Sequence, residues 1–301
     1  MMRQPSSQDQ ELLKKYCANP GNKELQQQLN ALNILEGELL LKNPEAILEF
    51  DWIEGFGATI YTAVTRIDYA LQNNLYFTFK KPLGFGHWTD FFQPFWNEEH
   101  KKQIYTMGKR IETKNLRLSI YAEHVKNLHT KTPFNLFMQK NYLSIFQKIF
   151  VLKDDIQNAI EATIAALNLP KDYIAVHIRR GDRSKHRRCP CCTPAQTYFN
   201  EIQKMKLGTN HVFIMSDDQQ SIADLAQRIQ NVDTLTKEHQ KGFNHKEFFA
   251  TDHTEKFAGF LQLFTEIEIA SRAKYFIGTY CSVLSHLIQA RHGVKDSTLL
   301  Y

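Results

Sequence analysis

The run from Tyr173 to Ile178 is short, mostly apolar and rich in β-branched side chains, and it leads directly into Arg179-Arg180-Gly181-Asp182. It is entered from the turn-prone Leu169-Pro170-Lys171-Asp172. A run of this kind fits a central strand of a parallel sheet, buried on both faces. Ligands of such sheets bind beyond the carboxyl ends of the strands, which is where the two arginines fall. A guanidinium presents a planar fork of donors matched to phosphate oxygens, so a diphosphate is the natural guest. Gly181 lets the backbone approach it closely. The plain alternative is a strand whose exit arginines pair with local carboxylates.

A chain of 301 residues is long enough for two domains, each with its own core. Hydrophobic content of 43% and charged content of 23% describe a globular chain, neither disordered nor membrane-embedded. The net charge of +5 suits an anionic small molecule. It does not point to nucleic acid, whose binders carry a clustered basic face. The densest basic stretch, Arg183 to Arg188, adjoins the arginine pair and reads as part of one local positive field. Met1 to Gln10 is polar, without the apolar core of a signal peptide, and no stretch reaches the length of a membrane span. The expected location is therefore cytoplasmic. Five cysteines, three of them crowded at Cys189, Cys191 and Cys192, do not form the spaced framework of a small secreted domain.

Residues 7 to 42 read as two helices broken at Asn19-Pro20-Gly21, with leucines near helical spacing. They are expected to pack on their own domain, with self-association as the alternative. From Ala46 to Phe79 the pattern is strand, glycine turn, helix and strand, a βαβ opening in which Gly55-Phe56-Gly57 leads into the helix. Backbone N–H groups at that helix start suit an anion or a sugar hydroxyl. The aromatic run from Phe85 to Trp96 suits either sugar stacking or core packing. Lys153 to Leu167 reads as a helix. Strands are then expected at 173–178, 211–215, 232–235 and 275–278, with helices at 194–205, 221–229, 257–273 and 283–291. Lys237 to Lys256 has no clear period and reads as a loop. The alternation from 173 to 291 is that of a doubly wound α/β domain.

The sequence His177-Ile-Arg-Arg-Gly-Asp182 after an apolar strand resembles the first motif of the α1,6-fucosyltransferases, including the core and Nod-factor enzymes. More loosely it is similar to the protein O-fucosyltransferases. Order supports the resemblance: Glu54-Gly55-Phe56-Gly57 stands upstream, and Met215-Ser216-Asp217-Asp218 and then Phe276 to Ser282 follow. The four motifs span residues 48 to 292. The resemblance implies an α/β fold of the GT-B type, two Rossmann-like doubly wound domains facing a cleft. Residues 1–45 would form a helical extension, 46–165 the acceptor-side domain and 166–301 the nucleotide-sugar domain.

It also implies transfer of L-fucose from GDP-fucose to a hydroxyl of a glycan, glycoconjugate or protein. The departing nucleoside diphosphate gains negative charge, and something must hold it. The sequence has no Asp-x-Asp for a metal, so no metal or other cofactor is expected and the arginines substitute for it. By resemblance Arg179 is the main diphosphate ligand, Arg180 its neighbour, and His177 a residue near the guanine. The loop Gly55, Phe56 and Gly57 faces the cleft, and Thr279, Cys281 and Ser282 at the start of the last helix offer further phosphate contacts. Thr279 and Ser282 read equally well as ordinary N-caps. Glu266 stands where core fucosyltransferases carry an aspartate that reads guanine, whereas Glu268 reads as exposed helix surface. Asp217 and Asp218 suit helix capping as well as ribose or acceptor contact. Asp182 is expected to orient Arg179 or Arg183.

The general base for the acceptor hydroxyl is open, because Arg183 to Arg188 lacks the glutamate of the core enzymes. Glu54 ranks first, with His186 and Asp182 after it, and pairing of Glu54 with Arg179 is the rival reading. Cys189-Pro190-Cys191-Cys192 with His186 has the residue types of a zinc site, but its spacing is cramped, and free thiols are the expectation. Three further readings are a transferase of this fold using another nucleotide sugar, a catalytically silent nucleotide- or glycan-binding protein, and a zinc-dependent nucleic-acid binder.

Overall fold

The structure, a computed structural model, describes residues 47–50, 55–73, 75–79, 86–95, 110–112, 135–138, 142–180, 193–205, 211–236, 245–293 and 296–300. The two helices expected within 7–42, and any self-association through them, lie outside the described residues.

The first half opens as expected, with strand β1 (Ile47–Phe50), helix α1 (Phe56–Gln72) and strand β2 (Tyr76–Phe79). Strand β3 (Arg110–Glu112) completes a parallel sheet ordered β2-β1-β3. Helix α1 ends at Asn73, whose side chain and backbone N–H both bond the Tyr69 carbonyl. Helix α2 (Trp88–Phe91) and helix α3 (Tyr142–Ile149) cover this half. Of the aromatic run, Phe91 and Phe92 are fully buried in the core and Trp88 nearly so.

Helix α4 (Asp154–Leu167) carries Asp154 and Asp155 in its first turn, where they complement the helix dipole. It stops at Asn168 in the left-handed conformation (φ 48°). Position 165 falls inside this helix, which leads into the second sheet. Strand β4 (Ile174–Ile178) follows and is buried at every position. Next come α5 (Ala195–Lys204), β5 (His211–Ser216), α6 (Gln219–Ala226) and β6 (Asn231–Asp233). The chain closes with α7 (His245–Ala250), α8 (His253–Arg272), β7 (Tyr275–Thr279), α9 (Val283–His292) and β8 (Ser297–Leu300). All strand pairs are parallel, in the order β6-β5-β4-β7-β8. The sequence reading is corrected at 297–300, an edge strand where none was expected, and at 237–256. Part of 237–256 is helical, since α7 and the capped start of α8 lie there, with Asp252 accepting the Glu255 amide.

One aromatic core joins the two sheets. Phe264 of α8 lies 5.0 Å from Phe56 of α1, 5.1 Å from Phe91 and 5.3 Å from Phe92, ring centre to ring centre, in edge-to-face contacts. Each such pair contributes about 0.5–1.5 kcal/mol beyond its buried area. Asn135 adds a polar tie: its amide N–H groups reach the His286 carbonyl and Gln289 on α9, and its carbonyl accepts from Phe137. The first half is thus fixed against the helix that follows β7.

Candidate functional site

In the order β6-β5-β4-β7-β8 the chain leaves β4 in one direction through β5 and returns on the other side with β7. That reversal opens a crevice beyond the carboxyl ends of β4 and β7, the usual ligand position in an open parallel sheet. Arg179 and Arg180 leave β4 there, and Tyr280, Cys281 and Ser282 link β7 to α9.

The β4–β5 ladder ends with Ile178 opposite Ser216, so Arg179 and Asp217 emerge side by side. The Arg179 guanidinium is ion-paired with the Asp217 carboxylate, both being largely buried. The same carboxylate accepts the Arg180 backbone N–H at 2.7 Å. Asp217 therefore orients both arginines from the end of β5. Asp218 is a helix cap, since its side chain accepts the Ser221 amide and hydroxyl at the start of α6. The Arg180 side chain turns toward α5 and donates to the Thr193 carbonyl at 3.1 Å.

His177 and Thr279 lie beneath the crevice, 3% and 1% exposed. The His177 Nδ1 is 2.6 Å from the Ser285 hydroxyl, which also accepts the Thr279 amide. Burial, helped by the Arg179 charge, pushes the imidazole down to about 3, so it is neutral. The Thr279 hydroxyl touches Tyr198, the Arg179 amide and the His177 carbonyl. The histidine thus packs against α9, and the threonine bonds inward without capping.

Ser282 differs. It occupies the N-cap position of α9 but makes no side-chain cap hydrogen bond, so its hydroxyl is a candidate anion contact at the start of that helix. Cys281 is disulfide-bonded. Gly55 takes an extended conformation open to any residue, and a Cβ there would meet nothing within 4 Å. Gly57 is the demanding one: a Cβ would come within 2.7 Å of the Leu284 nitrogen and 2.9 Å of its Cα. Helix α1 therefore approaches the first turn of α9 backbone to backbone. Phe56 is buried in the aromatic core.

Glu266 is 6% exposed on α8 and receives a hydrogen bond from Gln262 at 3.2 Å. Burial raises its carboxyl to about 7 against that single donor. Glu268 is buried as well, not the exposed residue its neighbours suggested, and is ion-paired with Arg291 and Arg272. Glu54, Asp182, His186 and the cysteines at 189, 191 and 192 lie outside the described residues. Among the described residues no group of three or more His, Cys, Asp or Glu side chains is placed to hold a metal ion. No described helix is long and apolar enough to cross a membrane. Sequence reasoning missed Tyr198 and Ser285, which carry no motif and become visible only once β4 and β7 are paired.

No family model matches the sequence, and no curated protein matches it. The fold does match solved structures. Fucosyltransferase NodZ from Bradyrhizobium gives a TM-score of 0.54 at 14% identity, covering 82% of this chain and 93% of that one. NodZ α-1,6-fucosyltransferase soaked with GDP-fucose gives 0.53 at 13% identity, covering 82% and 92%. POFUT1 in complex with GDP gives 0.51 at 14% identity, covering 86% and 99%. The chain has a fucosyltransferase-like fold of the GT-B type.

Proposed function

We propose that this chain is a glycosyltransferase that moves L-fucose from GDP-fucose to a hydroxyl of a glycan, glycoconjugate or protein, with inversion and without a metal. The observation that carries this reading is the Arg179-Arg180 pair at the sheet's reversal point, where β4 ends beside β7 and β7 leads through Ser282 into α9, in a fucosyltransferase-like fold. Arg179 and the N–H groups of α9 hold the diphosphate. Glu266 reads guanine, whose ring N–H and amino group both donate to a carboxylate.

The acceptor oxygen attacks the anomeric carbon from the face opposite the diphosphate, forming the new C–O bond as the bond to the phosphate oxygen breaks. The electron pair leaves on GDP, where arginine charge stabilises it. The acceptor proton passes to a base, for which Glu54, His186 and Asp182 are the candidates. A second reading, a silent nucleotide-binding protein, draws on the absence of a carboxylate from 183–188.

Thermal shift with GDP, UDP, ADP and GDP-fucose tests the donor, because a ligand of the native state raises the midpoint. GDP and GDP-fucose should stabilise the protein and ADP should not. Fucose transfer should persist in EDTA. Equal shifts with UDP and GDP would remove guanine recognition, activity restored by Mn²⁺ after chelation would remove the metal-free mechanism, and GDP-fucose binding without turnover would favour the silent protein.

A further inference from the structure

A strand that ends in a ligand site loses its ladder partners at the point where its backbone must stay fixed. The β4–β5 pairing stops at Ile178, and the next two amides find side chains instead: Arg179 N–H donates to the Thr279 hydroxyl at 3.0 Å, and Arg180 N–H to Asp217 at 2.7 Å.

The Thr279 hydroxyl has one hydrogen and two lone pairs. The His177 carbonyl, 3.0 Å away, can only accept, so it takes the hydrogen. The Arg179 amide can only donate, and it fills one lone pair. The Tyr198 phenol, at 2.7 Å, must therefore donate to the other. Tyr198 and Thr279 are at most 1% exposed, so no water replaces this bond cheaply. Helix α5 makes the second contact as well, because Thr193, just ahead of it, holds the Arg180 guanidinium through its carbonyl.

We propose that α5 is a brace for the arginine pair and that Tyr198 is a positioning residue for diphosphate binding, an inference that rests on the nucleotide reading above. Tyr198 fixes Thr279, Thr279 fixes the Arg179 peptide, and that peptide sets where the Arg179 guanidinium meets the phosphates. The helix does this from inside the protein, without touching the ligand.

The test compares Tyr198→Phe with wild type for GDP and for guanosine, which lacks the diphosphate. Calorimetric GDP affinity should fall roughly tenfold, the change that follows from about 1.4 kcal/mol, while guanosine affinity stays unchanged. Thr279→Ser, which keeps the hydroxyl, should retain GDP affinity, and Thr279→Val should lose it. Unchanged GDP affinity in Tyr198→Phe, or equal losses for GDP and guanosine, would overturn the brace. Amide exchange of the ligand-free proteins separates this failure from failure of the nucleotide reading. Faster exchange at Arg179 in Tyr198→Phe, with no GDP binding by wild type, keeps the brace and discards the nucleotide. Unchanged exchange discards the brace.

Discussion

Arg179 is held by a carboxylate that loses its partner when the arginine is removed, and this changes what its substitution measures. Arg179→Ala strands the buried Asp217 charge, an error that costs about 3–5 kcal/mol in a buried pair. The double variant Arg179→Ala/Asp217→Asn removes the stranded charge and keeps an acceptor for the Arg180 amide. It should unfold at a higher urea concentration than the single variant, and both should lose GDP binding. Equal stability of the two would mean that leaving the Asp217 carboxylate without its arginine costs the fold little. The pairing itself was within reach of the sequence only through register. Arg179 and Asp217 are 38 positions apart, and nothing local links them until Ile178 and Ser216 are set opposite each other. The arginines announced a site by charge and position, whereas Tyr198, Ser285 and the burial of Glu268 depend on packing between elements that a single sequence does not display.

Helix α1 and helix α9 meet at Gly57, and the contact makes a prediction that separates two neighbouring glycines. Gly57→Ala drives a methyl group into the backbone of Leu284, which has no flexible end to yield. Overpacking of this kind costs about 1–3 kcal/mol. Because the strained backbone is the first turn of α9, GDP affinity should fall with stability. Gly55→Ala has open space and an ordinary extended backbone, so denaturant melts should place it within about 0.5 kcal/mol of wild type. A neutral Gly57→Ala would disprove the close approach. Buried strands such as β4 and β5 were legible because both faces are apolar. The start of α8 was not, since its buried face begins only at Phe260 and the preceding turns are polar. Strand β8 was missed for a related reason: at four residues, half-buried on the sheet edge, it carries too little pattern to stand out.

Among the described residues, the charge of buried Glu268 is answered by two arginines. Arg272 joins Glu161 of α4 to Glu268 of α8, and Arg291 of α9 pairs with Glu268 while lying 4.9 Å from the centre of the Phe150 ring. Among the described residues Glu266 and His177 have no such counter-charge, and their protonation ties global stability to pH in opposite directions. His177 ordinarily titrates near 6.5 and in the fold near 3, so the unfolded chain binds the extra proton and stability falls as pH drops below 6.5. Glu266 goes from 4.5 to about 7, so the folded chain binds the extra proton. Its contribution is present below 4.5 and is lost as pH rises through 7. Glu266→Gln keeps the shape and removes the titration. Without ligand, the variant should gain stability relative to wild type as pH rises from 5 to 8, by on the order of 2 kcal/mol. With GDP the sign reverses in the reading proposed above, because guanine donors favour the carboxylate: GDP should protect wild type more at pH 8 than at pH 5 and protect the variant weakly at both. Urea melts of the two proteins at both pH values, with and without GDP, decide the matter. A pH-independent stability difference would show that Glu266 does not titrate with folding, and equal GDP protection of both proteins would show that it does not read the base.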